Sequence, residues 1–385
     1  MTQPLAGIRV ADFSHVMAGP YASHLLSLMG AEVIKIESRA GDNFRSYGAD
    51  PSGEGLSAAF IAANAGKKSI ALDLKNSEDQ AIARGIIERS DVLLENFRPG
   101  VIARLGFAYE TVRAYNPQII FCSVSGYGQD GPYRDWPAID NIVQATSGMM
   151  MLSGDEGDPP MRVGFPIVDT LTGQTAAIAI LSALLRRANG GGGGYIDVSM
   201  LDASLAFMTS ALTPYLATGT PMRRMGNTGY SGLPTASLFT AGDGRQISLG
   251  VVQPRQFATL ARELSREDWL DDPRYATPEA QRANFNALHA ELAAEFAKRD
   301  AADWERSMSA QGIPCGMVRR VDEASDLASA EAMLELDLSN GTDGARLTIP
   351  GPGFRMRPVA ATSGAVPPRL DEHREEILEW LARGD

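Results

Sequence analysis

The chain has 385 residues, of which 44% are hydrophobic and 21% charged, and its formal net charge is −12 at pH 7. This composition is typical of a globular protein, and the length favours two domains. The excess of acids argues against a broad nucleic-acid surface, because phosphate binding needs a surplus of Lys and Arg.

The N-terminal third alternates strand patterns with helix patterns. Apolar residues at helical spacing predict helices over 18–30 and 77–90, and β-branched runs predict strands over 7–14, 31–37, 68–74, 91–97 and 117–128. Strands separated by helices favour a parallel sheet, which places ligands at the carboxyl ends of its strands. The first strand–helix turn reads SHVMAGP and lacks GxGxxG, which weakens a nicotinamide or flavin interpretation.

The remaining chain predicts a second, smaller α/β region. The glycine run 190–194 is interpreted as a turn before a strand at 195–201, since no Lys–Ser/Thr pair follows it. A hairpin signal around Asp243-Gly244 and charged helical segments follow. We therefore predict a large Rossmann-like parallel-sheet domain and a small α/β domain, with the boundaries 1–200 plus 331–385 (large), 226–325 (small), and linkers at 201–225 and 326–330.

Cysteine and histidine usage bears on location and metals. Cys122 and Cys315 form no CxxC pair, which suggests a reducing compartment. The four histidines show no zinc-binding spacing, so no metal is expected. The N-terminus has neither a basic nor an apolar signal region, and the apolar segment 169–185 is too short and too polar at its start to span a bilayer. We expect a cytoplasmic protein without a membrane or nucleic-acid partner.

One acid, Asp169, precedes a long uncharged segment that ends at Arg186. Asp is a common N-cap, so a plain capping role is one interpretation. A carboxylate in an apolar setting can also act as a covalent nucleophile, and the positive end of a helix would keep it ionised. The sequence alone leaves both interpretations open.

Five segments bear on this choice: PLAGIRVADFSHVMAGPYASHLLSLMGAEVIKIE, DVLLENFRPGVIARLGF, VGFPIVDTLTG, YIDVSMLDAS and GIPCGMV. In order and spacing, the chain resembles the family III CoA-transferases, also called the CaiB/BaiF family, which includes formyl-CoA transferase. The resemblance implies an interlocked homodimer. It also implies that Asp169 is the nucleophile that forms aspartyl-anhydride and aspartyl-CoA thioester intermediates.

The resemblance also implies a set of substrate contacts. The matching positions for coenzyme A are His15, Val16, Met17, Ala18, Arg39, Leu72, Lys75, Asn96, Phe97, Arg104 and Met200. Arg98 joins them by location and charge, because an acidic protein needs local cations to hold CoA phosphates. The coenzyme is a substrate here, so no cofactor is expected.

The glycine-rich segment 226–234 matches a loop that covers the active site in formyl-CoA transferase. Gly229, Tyr230, Ser231 and Gly232 are its candidate residues, although Tyr230 and Ser231 interrupt the glycine run. Gln144 is a further candidate neighbour of the site.

Three departures from family patterns limit the carry-over. Ser38 and Ser125 stand where formyl-CoA transferase has basic residues, so its contacts are not copied whole. Ile139 occupies the place of the histidine that family racemases use as one of two bases. We therefore predict a CoA-transferase acting on an acyl-CoA and a carboxylic acid. A 2-methylacyl-CoA racemase or epimerase and a non-catalytic CoA-binding protein remain the alternatives.

Overall fold

The structure is a computed structural model that describes residues 3–50, 56–338, 346–357 and 366–383. It divides into two compact units. The first comprises Met1–Met150, Arg162–Thr220 and Ser329–Asp385, and the second Met151–Met161 and Pro221–Ala328.

The first unit contains a six-stranded parallel sheet. Its strands are β1 (Arg9–Asp12), β2 (Glu32–Glu37), β3 (Lys68–Ala71), β4 (Val92–Glu95), β5 (Ile120–Ser125) and β6 (Gly194–Ser199). Their order is β3-β2-β1-β4-β5-β6, and β1 pairs in parallel with both β2 and β4. This doubly wound order reverses between β1 and β4, and ligands of such sheets bind at that reversal. The predicted α/β fold with a parallel sheet is confirmed.

Helices cover both faces of this sheet. They are α1 (Ala18–Leu28), α2 (Ala58–Asn64), α3 (Ser77–Glu88), α4 (Val101–Arg104), α5 (Tyr109–Tyr115), α6 (Asp140–Thr146), α7 (Ile167–Ala188), α8 (Met200–Phe207) and α9 (Thr209–Thr218). Helices α8 and α9 occupy most of 201–225, which the sequence predicted as a linker. Only three residues of α8 and none of α9 are buried, and this segment lacks the apolar periodicity that predicts a packed helix.

The second unit combines a small antiparallel sheet with helices. Its strands are β7 (Leu238–Thr240), β8 (Gln246–Leu249) and β9 (Cys315–Met317). Its helices are α10 (Pro254–Glu263), α11 (Asp268–Asp271), α12 (Pro278–Ala283), α13 (Phe285–Phe296), α14 (Ala301–Ala310) and α15 (Val321–Ser325). Phe296, Trp269 and Trp304 belong to its buried core.

The C-terminal part of the chain belongs to the first unit. It contributes β10 (Met333–Asp337), β11 (Arg346–Pro350) and α16 (Arg374–Arg383). Ile377 of α16 is buried in the same core as Ile86 and Ile87 of α3.

Helix α7 passes close to α1 at a glycine. A Cβ atom on Gly173 would lie 2.6 Å from the carbonyl oxygen of Ala18 and 3.0 Å from Cδ1 of Tyr21. Contacts this short exclude any side chain, so Gly173 sets the separation of the two helices. Asp169 lies one turn earlier on α7, and this approach brings it towards the start of α1.

Among the described residues, α7 is the one helix long and apolar enough to cross a membrane by length and composition. The helix has 22 residues and is therefore longer than the segment 169–185, which was predicted to be too short to span a bilayer. Its buried residues include Ala176, Ala177, Ile180 and Leu184, which belong to the same hydrophobic core as residues of the parallel sheet. Such a core helix passes the same test, so this composition is weak evidence for a membrane span.

Candidate functional site

The turn after β1 lies at the reversal of strand order. The side chain of Asn96, just beyond β4, accepts a hydrogen bond from the N–H of His15 at 2.9 Å and donates to its carbonyl oxygen at 2.8 Å. Val16 adopts a φ of 67°, which is strained for a β-branched residue. Its N–H donates to both oxygens of Asp42 at 3.1 Å. The turn is therefore fixed from two neighbouring strands.

Buried charged residues next to this turn stabilise it through ion pairs and hydrogen bonds. Asp12 at the end of β1 accepts hydrogen bonds from the N–H and hydroxyl of Ser14. Lys67 donates to Asp12 at 3.1 Å, and Lys35 donates to Asp42 at 3.0 Å and to the Ser14 carbonyl at 2.8 Å. Burial by itself raises the pKa of Asp12, but Lys67 and Lys35 outweigh it and hold the pKa below its usual value. Asp12 therefore stays ionised in the core.

The acid at the start of α7 is not its cap. The N-cap position is Pro166, and Asp169 lies three residues further on. The cap is supplied by Asp140 of α6, whose Oδ2 accepts from the N–H of Val168 at 2.7 Å and from that of Asp169 at 3.2 Å. The Asp169 carboxylate makes no hydrogen bond or ion pair with the described residues, so the capping interpretation is wrong.

The environment of Asp169 raises its pKa. Burial is the main cause, and the negative charge of Asp140 adds to it, so that the pKa rises to about 7. The expectation that the helix terminus would keep Asp169 fully ionised is therefore wrong. Asp140 already occupies the first N–H groups of α7, which leaves Asp169 desolvated beside a second acid.

Asp169 opens into a cleft of about 570 Å³, which we call the Asp169 cleft. It is large enough for a small-molecule substrate. Of the predicted residues, it brings together His15, Val16, Met17, Ala18, Asn96, Phe97, Arg98, Asp169 and Met200.

A second cleft of about 660 Å³ adjoins the first, and we call it the Arg39 cleft. His15 and Phe97 line both clefts, and their rings lie 5.3 Å apart. The predicted residues Arg39, Leu72 and Lys75 line the second cleft. Leu72 is buried and forms its wall, whereas Arg39 is half exposed and pairs with Asp79 at 2.7 Å. Ser38 lines this cleft and Ser125 lines the Asp169 cleft.

Two predicted residues of the first unit line neither cleft. Arg104 is exposed, with Nη1 3.4 Å from where a Cβ on Gly100 would lie. Gln144 is buried behind Asp140, donates to its Oδ1 at 2.6 Å, and accepts from the N–H of Val163 at 2.9 Å. Gln144 thus contacts the site through Asp140.

The predicted loop residues lie in the second unit. The N–H of Gly229 donates to Ala236 at 2.8 Å, and Arg282 donates to the Ser231 carbonyl at 2.9 Å. Gly232 has a φ of 63°, and the Tyr230 side chain is 76% exposed. A gating role for this loop stays a prediction.

Sequence reasoning missed several residues of the Asp169 cleft. Asp140 follows Ile139, and the distance of 29 positions from Asp169 hid the contact. Arg134 and Arg162 also line the cleft, together with the exposed aromatic residues Trp136 and Phe165. Arg162 lies seven positions before Asp169, in the segment that leads into α7.

The chain is similar in sequence and in structure to several known proteins. The model of CoA-transferase family III matches residues 5–374. A succinate–glutarate CoA-transferase of Agrobacterium fabrum is 34% identical, with 98% of this chain and 96% of that protein covered. A formyl-CoA:oxalate CoA-transferase of Streptomyces avermitilis is 35% identical, with 100% of this chain and 97% of that protein covered. The crystal structure of a CaiB/BaiF family protein from Brucella suis superposes with a TM-score of 0.87 at 31% identity, covering 99% of this chain and 100% of that one.

Proposed function

Because the chain belongs to CoA-transferase family III and is a transferase of that family, we propose that it moves coenzyme A from an acyl-CoA to a carboxylic acid through covalent intermediates on Asp169. The observation that carries this proposal is the Asp169 carboxylate: it faces a cleft, has no partner among the described residues, and has a pKa raised to about 7 by burial and Asp140. A more basic carboxylate is a better nucleophile, and it is largely ionised at slightly alkaline pH.

The first half of the reaction transfers coenzyme A to the enzyme. An oxygen of Asp169 attacks the thioester carbonyl of the donor, and the C–S bond breaks to give an aspartyl–acyl anhydride and CoA thiolate. The thiolate then attacks the aspartyl carbonyl of the anhydride. This step releases the donor acid as its carboxylate and leaves Asp169 as a CoA thioester.

The second half reverses these bonds with a new acid. The acceptor carboxylate attacks the aspartyl thioester, expels CoA thiolate and forms a second anhydride. The thiolate attacks the acceptor acyl carbonyl, which yields the new acyl-CoA and restores the Asp169 carboxylate. Each step exchanges one nucleophile for one leaving group, so dividing the transfer lowers each barrier.

Backbone donors at the start of α1 suit the oxyanions of these steps. The N–H groups of Met17 and Ala18 make no hydrogen bond with the described residues, and both residues line the Asp169 cleft. Preorganised N–H groups stabilise negative charge as it develops on a carbonyl oxygen. We assign the nucleotide part of CoA to the Arg39 cleft, where Arg39 and Lys75 supply positive charge.

We assign a dicarboxylic acid to the acyl side of the site. The relative from Agrobacterium fabrum is named for succinate and glutarate. In this chain Arg162 lines the Asp169 cleft and makes no hydrogen bond or ion pair with the described residues. A guanidinium binds a carboxylate through two parallel hydrogen bonds, so Arg162 suits the carboxylate that does not react.

The variant Arg162→Met should separate dicarboxylic from monocarboxylic acceptors. With succinyl-CoA as donor, we expect the KM for glutarate to rise roughly 10- to 100-fold, because the carboxylate loses its hydrogen bonds to a charged group. The KM for butyrate should stay unchanged. Arg113→Met, on the exposed surface of α5, is the matched control. Equal losses for both acids would remove Arg162 from this role.

We propose that the protein is an interlocked homodimer. Helix α9 buries none of its residues within the chain, although it carries Tyr215 and Leu216, the latter 70% exposed. Ile178 and Leu185 of α7 are 65% and 64% exposed. Apolar helix faces of this size favour burial by a second copy. Sedimentation equilibrium should give twice the mass of one chain, and a single-chain mass would contradict the proposal.

The proposal includes no cofactor, a cytoplasmic location, and no membrane or nucleic-acid partner. Coenzyme A serves as substrate, and the nucleophile comes from the protein. The location is supported by Cys122 and Cys315, which are both free thiols whose pKa is raised by burial.

Covalent trapping tests the proposal. The protein is incubated with succinyl-CoA, then treated with hydroxylamine or borohydride, digested and analysed by mass spectrometry. We expect the hydroxamate or reduced product on the peptide that contains Asp169. An unmodified Asp169 in a protein that transfers CoA would refute the mechanism. Deuterium uptake at the α-carbon of a 2-methylacyl-CoA without transfer would instead favour the racemase, for which Ile139 supplies no base.

A further inference from the structure

The N–H groups at the start of α7 are capped by Asp140 of α6 and not by Asp169 of α7 itself. We propose that Asp140 is a positioning residue, which occupies the first N–H groups of α7 and thereby keeps the Asp169 carboxylate free and directed at substrate. This inference rests on the proposed function, in which Asp169 is the nucleophile. It assigns to Asp140 a role that acts through Asp169 and not through contact with the reacting atoms.

Without Asp140, the N–H groups at the start of α7 would lack an acceptor. The Asp140 Oδ2 takes those of Val168 at 2.7 Å and Asp169 at 3.2 Å. If these N–H groups were free, they could donate a hydrogen bond to the Asp169 carboxylate in the same turn of the helix. That hydrogen bond would lower its pKa and turn its oxygens away from a ligand. Asp140 removes this competing conformation for Asp169.

Gln144 holds Asp140 in place. Its Nε2 donates to Asp140 Oδ1 at 2.6 Å, and its Oε1 accepts from the N–H of Val163 at 2.9 Å. Gln144 is 1% exposed and uses both ends of its amide in these contacts. The amide therefore connects α6 to the segment that leads into α7. Burial leaves this pair few alternative partners, so the position of Asp140 is well determined.

The negative charge of Asp140 also raises the pKa of Asp169. The positive end of the α7 dipole is neutralised by Asp140, so it stabilises the anion of Asp169 less. The other charged or titratable groups that line the cleft are His15, Tyr47, Arg98, Arg134 and Arg162, and none makes a hydrogen bond or ion pair with Asp169. Asp140 is the one charged neighbour among the described residues that shifts the pKa of Asp169.

Two variants separate the charge of Asp140 from its placement. Asp140→Asn keeps the shape and the oxygen that caps α7 but removes the charge, and its NH2 group replaces the oxygen that accepts from Gln144. Gln144→Met keeps the charge but removes the contact that holds it. Glu110→Gln, an exposed acid in the first turn of α5, is the matched control for loss of one negative charge.

Two measurements are made on each variant. The first is the pH dependence of kcat/KM for succinyl-CoA. The second is infrared titration of the Asp169 carboxyl, obtained as the difference from Asp169→Asn, which needs no turnover. In the wild type we expect both midpoints near pH 7.

Asp140→Asn should lower both midpoints by about one pH unit or more, because the repelling charge is gone. Its kcat should fall about 10-fold or more, as the nucleophile becomes less basic and less well placed. Gln144→Met should lower kcat with its midpoint still near that of the wild type, and Glu110→Gln should change neither. Unchanged midpoints in Asp140→Asn would overturn the inference. A titration that shifts as expected, in a protein whose Asp169 is never trapped, would refute the proposed function alone.

Discussion

Replacement of Asp169 by Asn is expected to lower kcat for CoA transfer by a factor on the order of 10⁴ to 10⁶, the loss that follows removal of a covalent nucleophile. An amide lacks the nucleophilic carboxylate oxygen and cannot form the anhydride. Asp169→Ala should lose as much, because the missing oxygen nucleophile and not the missing charge is responsible. Initial rates with succinyl-CoA and glutarate measure the effect.

Binding and stability serve as controls for this variant. The dissociation constant of CoA, measured by calorimetry, should stay within about threefold, since the nucleotide contacts lie elsewhere. Stability should shift in favour of the variant as pH rises. Because the folded-state pKa of Asp169 is raised to about 7, the wild type loses stability from about pH 4 up to pH 7, while the unfolded chain ionises first.

The gain of Asp169→Asn over the wild type, measured by denaturant unfolding, should therefore be larger at pH 8 than at pH 4. A variant that keeps more than a few per cent of wild-type activity would exclude Asp169 as the nucleophile.

Replacement of Lys67 by Met is expected to lower the free energy of unfolding by about 3–5 kcal/mol, the cost of leaving a buried acid without its partner. Lys67 and Asp12 are both fully buried, and Lys67 also donates to the Asn64 side chain and the Pro20 carbonyl at 2.9 Å each. Met fills similar space but supplies no positive charge. Denaturant unfolding at pH 7 measures the loss.

A second substitution identifies the cause. Asp12→Asn in the Lys67→Met background should recover part of the loss, because the uncompensated charge is then removed. Lys298→Met is the surface control: its side chain is 62% exposed, and it should cost less than about 1 kcal/mol. If Lys67→Met alone unfolds like the wild type, the Asp12 network does not hold the turn at Ser14 in the way its hydrogen bonds indicate.

The fold and half of the site could be predicted from local sequence. The alternation of apolar strands and amphipathic helices over 7–128 led to the parallel sheet, since each element's periodicity is a local property. The carboxyl ends of the parallel strands were predicted to form a ligand site, and His15 and Asn96 lie beyond the ends of β1 and β4. The reason is that the topology of a doubly wound sheet leaves few other places for one.

The partners of each charged side chain were decided only by the tertiary structure. Asp169 could be read as its own helix cap until α6 was seen to bring Asp140 to that position. Likewise, nothing near Lys67 or Asp12 in the sequence indicates that they pair across 55 positions. Hydrogen bonds and charges act over a few ångströms in space, whereas sequence patterns report spacing along one chain segment. The sequence thus determined the type of fold and indicated Asp169 as a candidate, while packing determined its pKa and what it contacts.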